Sequence, residues 1–315
     1  MNLTINDIGI YLPETALELD QICMEPRLSS ADIKVYQRFY GLKRIAISNT
    51  SLEDMMFLAA RDALTRSGIA ARYISLLVHA HTAPETCAWP NGLLTRLCRR
   101  LGMHHAMPLA VHTNNCASTL SGLMLSQNYL VGNSKKKHTL LLTADLTFSG
   151  ILQQIPNTTL CGDAATACII SLNGIGAVMK SLELSYFGEH AKGAWQSDEE
   201  QARFESNYTQ RLAKVMQRSR QQAGLEWEQI RWIFPHNVNL ISWRNTAAKL
   251  HVPLSKIYLD KLPELGHCFG ADIFINWYFA SQTLRTGDYI MVATVGLGAV
   301  FGAAVFQFVP QGSTS

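Results

Sequence analysis

An α/β layered fold made of two similar halves is what this sequence predicts. Short apolar runs alternate with amphipathic stretches along the whole chain, and the alternation restarts after about residue 173. Each half also ends in the same order of helix, strand, small-residue turn and strand. GDAATACIISL (162–172) and GLGAVFGAAVFQF (296–308) occupy corresponding places. That repetition implies two βαβ-rich units whose sheets and helices share one core.

The elements follow in order. EDMMFLAARDALTRS (53–67) carries apolar residues at helical spacing and closes on Gly68, a good residue just past a helix end. ISLLVHAHT (74–82) is a short apolar run, as in a buried strand. A helix is expected over 92–101, a strand over 106–112, and a second helix from Cys116 to Gly132. HTLLLTADL (138–146) and ATACIISLN (165–173) read as strands. In the second half, GAVMKSLELSYFG is strand-like and 198–223 forms a long polar helix. IRWIFPHNV is strand then loop, LISWRNTAAKLHV helix, and KIYLD a short strand. A helix after Phe269 and the strands DYIMVATVG and GAAVFQFV complete the unit.

Composition narrows the function classes. Hydrophobic residues make up 48% of the 315 and charged residues 16%, which favours a packed core over disorder. A net charge of +3 is too mild to imply nucleic acid as a partner, and Lys135–Lys137 reads as a solvated turn. No uncharged apolar run reaches the roughly 18 residues of a membrane span, and the N-terminus lacks the pattern of a signal peptide. The seven cysteines form no C-x-x-C pair, and no histidine completes a zinc pattern near Cys161 and Cys168. A reducing, cytoplasmic protein without a metal is expected.

Three turns stand out as places for chemistry. Cys116, in AVHTNNCASTLSG, lies between a strand and a helix start, where free N–H groups and the helix dipole favour a thiolate. A thiolate is a good acyl acceptor, and a backbone N–H there can hold an oxyanion. His236 follows the apolar strand WIF and a proline, at the end of a strand where catalytic side chains gather. His267 sits among small residues before another helix, in ELGHCFGADIF. The remaining strand and loop histidines (His79, His81, His104, His105, His138 and His190) read as structural or exposed. Asp163 and Asp272 lie near these turns; either could polarise a histidine, but both read chiefly as turn or helix-capping residues.

PHNVN (235–239) resembles the P-H-x-A-N motif of the ketoacyl-(acyl carrier protein) synthase III family of the thiolase superfamily. IGIYLPE near residue 8, GLKRIAI (41–47), CGDAATACII (161–170) and the terminal GDYIMVATVGLGAVFGAAVFQF resemble that family's segments in the same order. The resemblance implies a thiolase-like α-β-α-β-α fold of two duplicated halves, 1–173 carrying the cysteine and 174–315 carrying both histidines. It implies that Cys116 takes an acyl group from a thioester. His236 would then donate to the carbonyl oxygen of a second thioester, and the N–H groups of Cys116 and Leu297 would form an oxyanion hole. Trp89 matches a position that closes the acyl pocket across a dimer interface.

The chain also departs from the family. His267 stands where the family has asparagine, and GHCFGAD resembles the corresponding segment of elongating ketoacyl synthases, which use a Cys-His-His set. An imidazole N–H can donate to a developing enolate as an amide does. It can also deprotonate an alcohol or amine. Val35 and Phe39 occupy positions where coenzyme A users carry Trp and Arg, and the Arg after the histidine motif is displaced to Arg244. This favours a carrier-protein-bound phosphopantetheine thioester over coenzyme A, with Arg244, Asn239, Lys249 and Arg38 as contacts and no permanently bound cofactor. Three functions follow in order. The first is condensation with a malonyl-type extender, in fatty-acid-like or polyketide biosynthesis. The second is acyl transfer to oxygen or nitrogen without condensation, and the third a non-catalytic subunit of a heteromeric synthase. A homodimer is expected, with a heterodimer as the alternative.

Overall fold

In the computed structural model, residues 2–22, 28–84, 92–133 and 135–309 are described. The first half contributes β1 (Leu3–Tyr11), the short β2 (Ala16–Glu18) and β3 (Arg44–Ala46), β4 (Ile74–Ala80), β5 (Met107–Val111) and β6 (His138–Asp145). It continues through the two-residue strands β7 (Gln154–Ile155) and β8 (Thr159–Leu160) to β9 (Ala164–Leu172). The second half contributes β10 (Gly176–Tyr186), β11 (Ile230–Pro235), β12 (Tyr289–Gly296) and β13 (Val300–Val309). The helices are α1 (Ser30–Val35), α2 (Leu52–Ser67), α3 (Leu93–Arg100), α4 (Ser118–Val131), α5 (Asp198–Gln222), α6 (Leu240–Leu250), α7 (Leu262–Leu265) and α8 (Asp272–Ala280).

The main sheet runs β11-β12-β13-β10-β1-β9-β6-β4-β5. Read outward from its centre, β1-β9-β6-β4-β5 and β10-β13-β12-β11 follow the same order. Ile257 bridges Ile233 of β11 in parallel, in the place where β5 lies parallel to β4. The expected strand KIYLD is thus reduced to one bridge, because a short helical turn (Leu254–Lys256) takes up the preceding residues. We read the division at 173/174 from this correspondence. The two halves of the sheet touch through Thr4–Val178 and Ile5–Ala177.

The core explains the layers. Leu120, Leu123 and Leu130 of α4 and Ile273, Phe274 and Trp277 of α8 join apolar side chains from strands of both halves in one cluster. The two helices are therefore the middle layer. The buried Met55, Met56, Ala59, Ala60 and Ala63 of α2, with Leu93 and Leu97 of α3, cover the outer face of the first half. On the second half, α5 and α6 do the same through Leu212, Met216, Trp243 and Leu250. Strands covered on both faces need no polar alternation, which is why β4 and β6 read as continuous apolar runs. Phe274 is fully buried in the middle layer. Phe274→Ala is expected to cost about 3–5 kcal/mol through lost burial and a residual cavity. Urea denaturation measures this as a lower midpoint at unchanged slope.

Candidate active site

The three turns chosen from sequence converge in one pocket of about 260 Å³, lined by Cys116, His236 and His267 together with Tyr208, Phe204 and Leu297 among others. Cys116 lies on a single 3-10 turn (Asn115–Ala117) that leads into α4 and is 5% exposed. Its Sγ is 3.4 Å from Nε2 of His267, and the Thr82 hydroxyl donates to the same sulfur at 3.6 Å. Thr82 follows β4 and is held there by Asp145, whose Oδ1 accepts from the backbone N–H groups of Thr82 and Ala83 at 2.7 Å each. Burial pushes the Asp145 carboxyl up to about 7.

His267 has a second partner. Its Nδ1 lies 2.5 Å from Oδ2 of Asp272, and both side chains are essentially buried. Asp272 also accepts from the backbone N–H of Asn237 at 2.6 Å, the Asn237 amide at 3.3 Å and the backbone N–H of Cys268 at 2.8 Å. The capping reading of Asp272 is thus incomplete. It does satisfy turn N–H groups, and it also holds the catalytic-site imidazole. Such a satisfied buried carboxylate fixes the ring's orientation and favours its cation. Burial alone would lower the His267 pKa, but Asp272 and the Cys116 sulfur together outweigh it and raise it to about 10. Asp163, by contrast, stays a turn residue, bonded to Ser48 and Thr147.

His236 lies just past β11, its ring 6.1 Å from that of His267 between centroids. Its Nε2 is 2.8 Å from the Tyr208 hydroxyl on α5, and its buried Nδ1 has no hydrogen-bond partner among the described residues. Burial, then the neighbouring His267 charge, pushes its pKa down to about 3. The two histidines therefore act oppositely on stability. His267, raised above its unfolded value, stabilises fully below about pH 6.5 and loses that contribution as pH climbs towards 10. His236, depressed, costs stability as pH falls from about 6.5 towards 3. His236→Gln is expected to flatten the acid side of the urea midpoint against pH and leave the alkaline side in place.

The oxyanion candidates also meet. Asn115 adopts a left-handed φ of +48° and its amide donates to the Leu297 carbonyl, pinning the VGLGA turn onto the cysteine turn. Gly296 permits this approach. A Cβ there would lie 1.9 Å from the Asn114 carbonyl oxygen. Gly296→Ala is expected to push the two turns apart and slow acylation of Cys116 about 100-fold, since reacting groups displaced by an ångström lose that much. Intact-mass kinetics of loading checks it.

The remaining candidates divide. Trp89 lies outside the described residues. Arg38, Arg244 and Lys249 are exposed, the last two on α6 and Arg38 on a helical turn (Tyr36–Tyr40) packed against it. Asn239 is buried; its side chain caps α6 by accepting from the Ser242 N–H, and its amide nitrogen donates to the Thr158 carbonyl. His190 is buried and bonds the pocket-lining Gln196 at 2.7 Å. Thr82 and Tyr208 were missed from sequence, and for Asp272 the histidine-holding role was ranked below capping. Only Asp272 left a signal there, five residues after His267 at a helix start. No group of three or more His, Cys, Asp or Glu among the described residues could hold a metal. No described helix is long and apolar enough to cross a membrane.

The profile of the 3-oxoacyl-[acyl-carrier-protein (ACP)] synthase III C-terminal region matches residues 221–308, which hold both histidines. The β-ketoacyl-[acyl-carrier-protein] synthase III of Ruegeria pomeroyi is 26% identical over 96% of this chain and 98% of its own. That of Nostoc sp. is 24% identical over 98% of each. Over nearly its whole length the chain is thus similar to the β-ketoacyl-[acyl-carrier-protein] synthase III proteins. This synthase III-like chain also shares its fold with solved structures. ChlB3, an acyltransferase, superposes with a TM-score of 0.86 at 19% identity over 98% of both chains. The 3-oxoacyl-[acyl-carrier-protein] synthase III of Aquifex aeolicus gives 0.82 at 19% identity over 97% of this chain and all of its own. The solved structures that share the fold thus include one named a synthase and one named an acyltransferase.

Proposed function

We propose that this protein is a ping-pong acyltransferase that carries an acyl group on Cys116 from a phosphopantetheine thioester to a hydroxyl or amine. The observation that carries the reading is the line from Asp272 through His267 to the Cys116 sulfur. The Cys116 thiolate attacks the thioester carbonyl. The oxyanion rests on the N–H groups of Cys116 and Leu297, and the bond to the pantetheine sulfur breaks. That sulfur leaves with the proton of the His267 cation. His267, now neutral, takes the proton of the acceptor O–H or N–H as the acceptor attacks the acyl carbon. The acyl–Sγ bond then breaks and restores the thiolate–imidazolium pair. An imidazole held by a carboxylate suits a base that must gain and lose a proton in each cycle.

Sequence placed carbon–carbon bond formation first, and the Asp272 contact reverses that order. Decarboxylative condensation asks for neutral N–H donors at the second carbonyl, whereas Asp272 favours a histidine that cycles through its cation. Condensation stays the second reading because His236 and His267 line the same pocket. Three chemistry-bearing side chains converging on one cavity argue against a non-catalytic subunit. The donor is a thioester of acyl carrier protein, which the names of the relatives contain, or of coenzyme A. Exposed Arg38, Arg244 and Lys249 suit an acidic carrier. We also read a homodimer from β5. It is an edge strand with its unpaired side open, and Met107 on it is 47% exposed.

The test supplies acyl thioesters and follows loading by intact mass, then offers hydroxyl and amine acceptors beside malonyl-coenzyme A. Transfer to oxygen or nitrogen without carbon dioxide release is the expected result. Carbon dioxide release with a carbon–carbon product would overturn acyl transfer in favour of condensation.

A further inference from the structure

Tyr208 is the pocket residue whose chemistry the scheme above leaves unused. It projects from α5 into the pocket that holds Cys116, His236 and His267. Its ring is fixed by edge contacts with Phe204 and Phe301 at 5.7 and 5.6 Å between centroids. Its hydroxyl lies 2.8 Å from Nε2 of His236. His236 is itself immobile. Its backbone N–H donates to the Ala293 carbonyl, its own carbonyl accepts from Trp243 Nε1, and its ring is buried.

The proton count of His236 decides what this contact means. A ring this deeply buried is neutral, so it carries one N–H. Were that proton on Nδ1, a buried donor would be left without a partner among the described residues. With the proton on Nε2, the ring donates to the Tyr208 oxygen, and only an acceptor lone pair goes unfilled. Buried orphan donors are the rarer omission. The Nε2–H form is therefore favoured, and in it the Tyr208 O–H turns away from His236 into the pocket. Burial, then the charge of the Cys116 sulfur, pushes the Tyr208 pKa up, so the hydroxyl keeps its proton. A hydroxyl that accepts one hydrogen bond is the stronger donor in the next.

We propose that Tyr208 is a catalytic residue of the second half-reaction, its O–H donating to the incoming acceptor substrate. On this reading His236 is a positioning residue that acts through Tyr208. This differs from the direct donation to a thioester carbonyl that the family resemblance implies for His236. The proposal rests on the acyl-Cys116 scheme for its order of events. It does not depend on that scheme for the tautomer of His236.

The experiment loads Cys116 with p-nitrophenyl acetate, discharges it with hydroxylamine as the acceptor, and follows both steps by intact mass. Tyr208→Phe keeps the ring and removes only the hydroxyl. Loading within about twofold of wild type and discharge slowed about tenfold or more are expected. His236→Ala should slow discharge alone to a similar extent, and the double variant should be no slower than the slower single variant. Discharge of Tyr208→Phe at the wild-type rate, or a double variant slowed by the product of the two effects, would overturn the proposal. A separate measurement covers failure of loading. In ¹⁵N-histidine-labelled protein, His236 should be protonated at Nε2, and its signal should shift in Tyr208→Phe. Protonation at Nδ1 sinks the proposal whatever the enzyme's activity. Absence of Cys116-dependent loading in wild type, with the Nε2 form intact, counts against the acyltransferase scheme alone.

Discussion

Cys116→Ala abolishes the covalent mass increase that acyl thioesters produce on the wild-type protein, and with it all turnover. The expectation has one of the largest effects because no other thiol among the described residues shares the sulfur's setting. Cys98, Cys161, Cys168 and Cys268 are buried too, but burial pushes each of their thiols up, which keeps them protonated and unreactive. Of the described cysteines, Cys116 alone combines a helix-start turn, an imidazole nitrogen at 3.4 Å and the hydroxyl of Thr82. The substitution removes one small buried atom, so circular dichroism and urea midpoints should stay close to wild type. Loading of the variant at the wild-type rate would remove the nucleophile from Cys116.

Asp272→Asn is expected to slow acyl transfer by roughly 10²–10⁴-fold, about 3–5 kcal/mol of barrier. The amide keeps the shape of the carboxylate but not its charge. His267 loses the largest of the influences that raise its pKa, so it titrates below the wild-type value of about 10. It also loses the acceptor that fixes its Nδ1–H, so Nε2 is no longer reliably bare towards the acceptor. The loss should fall mainly on discharge, where a proton must be taken up, and less on loading. Stability will fall as well, because the backbone donors of Asn237 and Cys268 also use this carboxylate. Rates should therefore be measured at a temperature where the variant is folded by circular dichroism. A change in transfer of less than threefold would reduce Asp272 to a structural residue.

Much of the fold was legible because the signals are local. Gly68 and Gly132 close their helices where expected, and α5 runs from Asp198 to Gln222 as its polar, periodic stretch implies. The expected strand at KIYLD was the exception, since a short helical turn before it left only Ile257 to pair. At the site, Cys116, His236 and His267 were readable because each sits where an apolar run meets a turn. Tyr208 was not, since nothing in DEEQARFESNYTQ distinguishes one residue of a polar helix from its neighbours. Thr82 was hidden likewise, at the end of a strand that reads as uniformly buried.

By itself, then, the sequence determined the layered α/β class, the doubled order of elements and three residues able to carry chemistry. Those follow from periodicity, turn residues and short motifs, which act over a few positions. Only the tertiary structure decided how the three are wired. It brought Asp272 of α8 onto His267, Tyr208 of α5 onto His236, and Gly296 against Asn114. The last two join residues 28 and 182 positions apart (236 − 208 and 296 − 114). Asp272 lies only five positions from His267, but whether it caps a helix or holds an imidazole depends on the ring's orientation, which packing sets. Hydrogen bonds act over about 3 Å in space whatever the separation along the chain. No local pattern encodes which distant side chains will close that gap.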